Sequence, residues 1–102
     1  MVFSIEKYNE ALWGLCRRHY VKRLDIFGSA AAGELKESSD IDFLVEFDEQ
    51  VNPHRFDNYF EFLRALEGLF GRRVDLVEAG GPRNPFFLQQ VDATKRRIYA
   101  AS

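Results

Sequence analysis

Apolar positions near the N-terminus recur with the period of a helix, and those that follow form a strand-like run. A helix is predicted from about Ser4 to His19, with Ser4 as its N-terminal cap. Its apolar positions lie three or four residues apart, at Ile5, Tyr8, Leu12 and Leu15. Residues from Val21 to Phe27 are largely apolar, which predicts a strand that ends at Gly28.

The middle of the chain contains a second strand and the strongest helical pattern. Ala30 to Ser39 predicts a short helix and a loop, because three alanines favour a helical turn. Asp40 to Phe47 predicts a strand, and Asp48 to Pro53 predicts a turn. Arg55 to Phe70 predicts a helix that stops at Gly71. Its predicted apolar face contains Phe56, Tyr59, Phe60, Leu63, Leu66 and Phe70, widened by Phe62 and Leu69.

The C-terminal part repeats the alternation of strand and helix. Arg73 to Glu78 predicts a third strand, and Ala79 to Arg83, with its Gly-Gly-Pro segment, predicts a loop. The pair Asn84-Pro85 predicts the capped start of a helix that runs to about Thr94. Arg97 to Ala100 predicts a short last strand. This order indicates an α/β (α+β) domain in which helices flank one small mixed sheet.

Length and composition restrict the class of protein. The chain has 102 residues, which predicts a single domain over residues 1–102, and its 46% hydrophobic content is enough for a compact core. The formal net charge of −2 does not favour DNA or RNA as the main partner. The single cysteine, Cys16, is predicted to be a core residue. Without a basic leader or an apolar stretch of roughly 20 residues, the chain is predicted to be cytoplasmic and not membrane-bound.

The candidate chemistry begins where the first strand ends. Gly28 and Ser29 follow that strand, and after ten further residues Asp40 and Asp42 open the second strand. A glycine at this point permits a tight turn or a close approach to a ligand. The hydroxyl and amide of Ser29 are suited to a phosphate group. We therefore expect Gly28 and Ser29 to bind the phosphates of a nucleotide.

Asp40 and Asp42 are two residues apart in a predicted strand, so their side chains point to the same face. Their Cα atoms are then roughly 6.5 to 7 Å apart. Two carboxylates so close repel each other unless a cation lies between them, and oxygen-only ligands favour Mg²⁺ or Mn²⁺. The pair predicts a site for divalent metal ions.

Asp75 is the third candidate because it stands in the apolar run from Val74 to Val77, where an unpaired charge is costly. If its strand neighbours that of Asp40 and Asp42, the three carboxylates form the layout of two-metal nucleotidyl transfer. Asp75 then takes the proton from the attacking hydroxyl. The simpler alternative for Asp75 is a partly exposed aspartate on an edge strand.

Other polar residues are given structural roles. Asp25 precedes the turn and has no acidic partner two residues further on, so it is predicted to be structural. His19 and His54 lack ligand-like spacing and are predicted to lie on the surface. Short basic clusters such as Arg72-Arg73 are typical of the solvated ends of helices and strands, with phosphate binding as the alternative.

The acidic and glycine motifs together resemble the signature of a known family. The residues from Phe27 to Ser29, then Ala31, Gly33 and the run from Ser39 to Val45, are similar to the first motif of minimal nucleotidyltransferases. That family belongs to the DNA polymerase beta-like superfamily. The run from Val74 to Val77 is similar to the family's later strand, which carries its third carboxylate. The resemblance implies the family's mixed sheet flanked by helices.

The resemblance also implies an activity. It implies transfer of a nucleoside monophosphate from ATP or another NTP to a hydroxyl, with two Mg²⁺ ions, for which Mn²⁺ can substitute. By position, Gly28 and Ser29 would bind phosphate, and Asp40, Asp42 and Asp75 would be the catalytic and metal-binding residues. Many small members resemble the antitoxin of a toxin–antitoxin pair whose toxin is an all-helical HEPN-type ribonuclease. For such members the resemblance implies transfer of AMP to a tyrosine of that toxin.

One position departs from the family's pattern and keeps other hypotheses open. The family commonly has arginine just before the last glycine of the first motif, where this chain has Ala32. Ala32 favours an antitoxin that neutralises its toxin by direct binding, with a weak or inactive nucleotide site, whereas the three aspartates favour an enzyme. Transfer to a small molecule such as an aminoglycoside is disfavoured by the absence of a substrate domain. Acceptor specificity is therefore expected to come from a partner surface or a second subunit, in a homo- or hetero-oligomer.

Overall fold

A four-stranded mixed sheet forms the centre of the protein. The computed structural model describes residues 4–36, 39–48, 50, 54–80 and 85–101. The strands are β1 (Val21–Phe27), β2 (Ile41–Phe47), β3 (Val74–Glu78) and β4 (Arg96–Ala100). Their order across the sheet is β3-β2-β1-β4. Strand β1 pairs antiparallel with β2 and β4, and β2 pairs parallel with β3, so the predicted mixed sheet is confirmed.

The helices connect these strands in the predicted order. They are α1 (Asn9–Arg18), α2 (Gly28–Ala31), α3 (Arg55–Phe70) and α4 (Pro85–Thr94), and a 3₁₀ helix, Ile5–Tyr8, precedes α1. The predicted cap at Ser4 is wrong, because its hydroxyl donates to the Glu6 carboxylate at 2.9 Å and caps no backbone group. No helix in the described ranges is long and apolar enough to cross a membrane. Asn84 and residues 37–38, 49, 51–53 and 81–83 lie outside the described residues.

The hydrophobic core lies between one face of the sheet and helices α1 and α3. Burial in β2 alternates strictly, so that every second residue faces this core. The largest wholly buried side chains include Leu12, Cys16, Leu24, Ile26, Phe43, Phe62 and Leu66. Aromatic rings cross this layer, with the Phe47 and Phe62 centroids 5.9 Å apart. The prediction that Cys16 is a core residue is confirmed, and burial raises the pKa of its thiol to about 12.

Helix α3 has the predicted length but only part of the predicted buried face. Its C-terminal stop is confirmed, since Gly71 adopts φ +67° and donates its N–H to the Glu67 carbonyl at 2.8 Å. The face predicted to be buried is confirmed only in part, because Leu66 is wholly buried and Leu63 and Phe70 pack against the core. Phe56, at 83% exposed, and Phe60, at 50% exposed, do not belong to the buried face. The buried face is instead centred on Phe62, with further buried positions one helical turn to either side.

A buried polar contact lies on the buried face of α3. The Asn58 side chain donates to the His19 carbonyl at 2.6 Å, and its Oδ1 lies 3.3 Å from His19 Nδ1. Both side chains are buried, so the prediction that His19 lies on the surface is wrong. A buried amide needs hydrogen-bond partners, and these contacts satisfy Asn58 where α3 packs against the C-terminal end of α1.

Candidate active site

The turn after β1 brings the backbone against a carboxylate of β2. Gly28 opens helix α2 with φ +71°, a conformation that other residues adopt at a cost. A Cβ built at Gly28 would lie 2.5 Å from Oδ2 of Asp42. Glycine is therefore required here both for the turn and for the close approach of the Asp42 side chain.

The polar groups of this turn are used in two different ways. The Gly28 N–H donates to the Thr94 hydroxyl of α4 at 3.0 Å, so this amide is engaged within the protein. Ser29 is half-buried, and no hydrogen bond joins its hydroxyl to another described residue. Ser29 is thus the better placed of the two predicted phosphate-binding residues, while Gly28 provides space.

Two of the three predicted aspartates lie on neighbouring strands, and the third directly precedes one of those strands. Asp42 of β2 is the register partner of Asp75 of β3. Partners in a parallel pair project to the same face, and neighbouring strands lie about 4.8 Å apart. Asp40 stands two residues before Asp42, immediately before β2 begins. The sheet therefore brings Asp42 and Asp75 side by side, with Asp40 next to them along the chain.

The acidic groups act on one another through their charges. The pKa of Asp42 is raised to about 6, first by its partial burial and then by the nearby negative charges of Asp75 and Asp40. Asp42 is half-buried, whereas Asp40 and Asp75 are exposed. A cation placed among the three would relieve this repulsion, which is the electrostatic signature of a cation site rather than of a structural ion pair.

Asp75 reaches this position for a reason that its local sequence does not show. Strand β3 is an edge strand, and Asp75 is exposed on it. The expected cost of a buried charge is therefore absent. What places Asp75 in the site is its parallel register with Asp42, on the face of the sheet opposite Leu76 and the core.

The donor set fits a magnesium ion that shares its ligands with a substrate. Within the described ranges, no three histidine, cysteine, aspartate or glutamate side chains are close enough to hold a metal by themselves. Mg²⁺ usually takes only one or two protein carboxylates and completes its octahedron with water and substrate phosphates. Asp42 with Asp75 or Asp40 meets that smaller requirement, so the residues suit a metal that arrives with a nucleotide.

Asp25 lies on the same face of the sheet but has a different role. Its side chain is only 9% exposed, and Oδ1 accepts a hydrogen bond from Nε of Arg97 in β4 at 2.6 Å. This ion pair confirms the prediction that Asp25 is structural, because its charge is already balanced within the protein.

Several contacts around the site were not anticipated from the sequence. Arg72 donates to the Lys36 and Ser39 carbonyls at 3.0 and 3.2 Å, and so fixes the segment that leads to Asp40. The basic pair Arg72-Arg73 was a visible signal, although it did not indicate these backbone targets. Thr94 and Phe87 of α4 also reach the turn, and no local pattern distinguished them.

The departure at Ala32 can be judged from its surroundings. Ala32 is exposed at the end of α2. One guanidinium nitrogen of Arg96 lies 3.5 Å from the carbonyl of Ala31, the residue before Ala32. The other terminal guanidinium nitrogen pairs with the Glu6 carboxylate at 3.0 Å. A cation from β4 therefore stands beside the end of this turn, although Glu6 partly balances its charge.

Comparison with known proteins supports a specific family. Residues 9–100 match the profile of a family described as "Nucleotidyltransferase domain". A protein of Methanocaldococcus jannaschii, MJ1379, provisionally named a protein adenylyltransferase, is 40% identical over 75 residues, which are 74% of this chain and 74% of that protein.

Solved structures share the fold. One, of a provisionally assigned minimal nucleotidyltransferase, has a TM-score of 0.73 and 38% identity, with 90% of each chain covered. Another, of a tri-AMPylated Shewanella oneidensis HEPN toxin in complex with an MNT antitoxin, has a TM-score of 0.65 and covers 96% of this chain and 74% of that one. Its 18% identity shows a common fold alone.

Proposed function

This chain belongs to the nucleotidyltransferase domain family and is a nucleotidyltransferase, and we propose that it transfers AMP from ATP to a tyrosine of a HEPN-type toxin, as the antitoxin of that pair. The observation that carries the proposal is the register of Asp42 with Asp75, beside Asp40 and the Gly28 turn. In this reaction the tyrosine oxygen attacks the α-phosphorus of ATP. The bond from that phosphorus to the bridging oxygen breaks, and pyrophosphate leaves.

Each residue of the site has a task in this scheme. Asp40, Asp42 and Asp75 would hold Mg²⁺, with two ions expected, and Mn²⁺ could substitute for them. When bound, the metal neutralises the phosphates and activates the attacking hydroxyl. Asp75 is exposed at the sheet edge, where an acceptor can approach, and it takes the proton of the hydroxyl. Ser29 holds the phosphate tail of ATP through its hydroxyl and its backbone amide.

Two observations support a protein as the acceptor. The relative MJ1379 is provisionally named a protein adenylyltransferase, and one protein of the same fold is an MNT antitoxin in complex with an AMPylated HEPN toxin. On this chain, Phe56 and Phe60 lie one helical turn apart on α3 and are 83% and 50% exposed. Exposed apolar pairs of this kind suit a protein interface better than a small-molecule substrate.

The proposal is tested by following the α-phosphate of ATP. The protein is incubated with a HEPN-type toxin, Mg²⁺ and ATP labelled on the α-phosphate, and in parallel with ATP labelled on the γ-phosphate. Only the α-label is expected on the toxin. Asp42→Asn is expected to reduce the labelling rate at least roughly 100-fold, because it removes a metal-binding charge. Asp57→Asn, an exposed carboxylate on α3, serves as the matched control.

Ala32 supports a second candidate function. In that alternative the protein neutralises its toxin by contact, and the nucleotide site is weak or inactive. The wild type and Asp42→Asn would then protect the toxin's RNA substrate equally well, and no label would be transferred. Labelling that depends on Asp42 rejects the alternative, and a gain in labelling rate with Ala32→Arg would show that the departure at this position weakens an active site.

A further inference from the structure

An apolar cavity next to Asp42 has the properties of a binding site for an aromatic ring. We infer that it holds the purine base of the nucleotide, an assignment that rests on the proposed function and adds the location of the base. The cavity has a volume of about 340 Å³. That value lies within the range of small-molecule sites, about 300–1,000 Å³.

The walls of the cavity come from β1 and α4. They include Phe27, Phe87 and Val91, and the backbone turn at Gly28 and the side chain of Asp42 border it. The Phe27 and Phe87 rings meet edge to face, with centroids 5.8 Å apart and planes at 87°. An aromatic base placed against them gains apolar contact and stacking on a ring face, which is the usual way in which proteins hold a base without reading its edges.

Charge excludes a phosphate from this cavity. Among its described lining residues, Asp42 is the only one with a formal charge, and that charge is negative. A phosphate group inside would meet this carboxylate and apolar walls, with no cation to offset the lost hydration. The phosphates therefore belong at the rim, between Asp42 and Ser29, while the base lies inside.

The position of the cavity across the sheet separates the base from the acceptor. The strand order is β3-β2-β1, with Asp75 on β3, Asp42 on β2 and the cavity on the β1 side of Asp42. An acceptor hydroxyl that gives its proton to Asp75 approaches from the β3 edge. The cavity on the other side is left for the part of the nucleotide that leads away from the α-phosphorus, which is the ribose and its base.

A larger cavity elsewhere does not fit this role. It has a volume of about 740 Å³ and lies at the far end of β2, and Lys22, Glu46 and Glu78 are among its lining residues. Its lining contains none of the three aspartates of the site, and two of its charged residues, Lys22 and Glu46, already pair at 3.7 Å. A base held there would be remote from the reacting phosphorus.

The inference is tested by measuring binding with and without a base. Calorimetry with Mg²⁺ compares the α,β-methylene analogue of ATP, which cannot be cleaved at the reacting bond, with inorganic tripolyphosphate. Phe87→Ala is expected to weaken binding of the ATP analogue roughly 5- to 150-fold, the range for loss of one stacked base. Tripolyphosphate binding is expected to stay unchanged, because it involves no base.

Further variants separate the cavity from the stability of α4. Val91→Phe fills the cavity with a larger side chain. It is expected to weaken the binding of the ATP analogue but not that of tripolyphosphate. Phe87→Leu keeps apolar contact without a ring and is expected to have an intermediate effect. Leu88→Ala removes a 47% exposed apolar side chain of the same helix, outside the cavity lining, and serves as the matched control, with no expected change in the binding of either ligand.

The outcomes distinguish this inference from the proposed function. If the wild type binds neither ligand, or if Asp42→Asn leaves both affinities unchanged, the proposed function fails first. If both ligands bind through Asp42 but Phe87→Ala and Val91→Phe leave the ATP analogue unaffected, the base lies elsewhere and this inference is overturned. The inference is also overturned if Phe87→Ala weakens the binding of both ligands equally. It is overturned as well if Phe87→Ala changes only the KM for the acceptor protein.

Discussion

The two faces of the sheet are built from the same strands and have opposite properties. On the packed face, Ile41, Phe43 and Val45 of β2 are wholly buried under α1 and α3. On the open face, Asp42 of the same strand lies beside Asp75 and the Gly28 turn. Because neighbouring residues of a strand point to opposite sides, stability and chemistry are separated by one residue along the chain.

The faces also differ in how they accommodate polar groups. The packed side buries His19 and Asn58, and these two bond to each other. The open side buries Asp25 and pairs it with Arg97, but it leaves the three other aspartates without a balancing cation among the described residues. The uncompensated negative charge is confined to the open face. This indicates that the open face is adapted to a ligand, at some cost in stability.

The sharpest test of this comparison uses two adjacent residues. Phe43→Ala is expected to lower the free energy of unfolding by about 3–5 kcal/mol, because it leaves a cavity in the packed face. Asp42→Asn is expected to cause no loss of stability at pH 7.5, while it removes the transfer activity. Urea unfolding followed by circular dichroism measures the first effect, and labelling of the acceptor measures the second. Similar destabilisation by both substitutions would contradict the separation of the faces.

Local sequence patterns were sufficient for the elements but not for their rotation. The bounds of β1 and α3 were predicted correctly, since each has a strong pattern and ends at a glycine, Gly28 or Gly71. The rotation of α3 was predicted only in part, because its buried face extends to Asn58, whose partner His19 lies 39 residues away in the sequence. A periodic pattern with apolar residues on several sides of a helix does not determine which side is buried.

The second test concerns the glycine that joins the two faces. Gly28→Ala is expected to reduce the transfer rate by about 100-fold, because its Cβ would push the Asp42 carboxylate out of position. Gly33→Ala is the matched control, since Gly33 also has positive φ but has open space around it. Its expected effect is limited to about 1–2 kcal/mol of backbone strain in stability. Equal loss of activity in both variants would point to loop strain rather than to the Asp42 contact.

The third test uses pH to measure the unbalanced charge of the open face. The folded protein raises the pKa of Asp42 from 3.8 to about 6, so between those values the folded state holds a proton that the unfolded state has lost. This group's contribution to stability is therefore complete below about pH 4 and is lost as the pH rises through 6. In the absence of metal, Asp42→Asn is expected to match the wild-type Tm near pH 4 and to exceed it above pH 6.5.

Two measurements support the interpretation of that Tm difference. Mg²⁺ is expected to raise the Tm of the wild type at pH 7.5 more than that of Asp42→Asn. Asp75→Asn is expected to lower the pKa of Asp42 observed by carboxyl NMR, since it removes the nearby charge of Asp75. A pKa that does not respond to Asp75→Asn would mean that burial alone raises it.

The candidate site shows where a motif is enough and where it is not. The motif from Gly28 to Asp42 identified four of the five proposed site residues by spacing alone. The meeting of Asp42 with Asp75 required the parallel register of β2 and β3, which is a long-range pairing that local spacing does not encode. Thr94 contacts Gly28 from 66 residues further along the chain, and Phe87 contacts Phe27 at the same turn, so only the folded arrangement of α4 reveals these two residues.

The last and smallest test asks whether the open face contains structural charge as well as functional charge. Arg97→Met leaves the buried Asp25 carboxylate without its partner, and it is expected to cost about 1–3 kcal/mol of stability. The transfer rate of the folded variant is expected to equal that of the wild type, because Asp25 takes no part in the reaction. Chemical unfolding and a single-turnover labelling assay measure the two quantities.

The control for Arg97→Met is an ion pair in which both side chains are exposed to solvent. Lys95 and Asp92 lie 3.1 Å apart with 41% and 71% of their side chains exposed, so Lys95→Met is expected to cost about 0–1 kcal/mol. If Arg97→Met lowers the free energy of unfolding no more than Lys95→Met does, then leaving the buried Asp25 carboxylate unpaired carries no desolvation penalty. If it instead slows transfer while stability is unchanged, Arg97 belongs to the functional charges of the open face, and Asp25 must be reassigned with it.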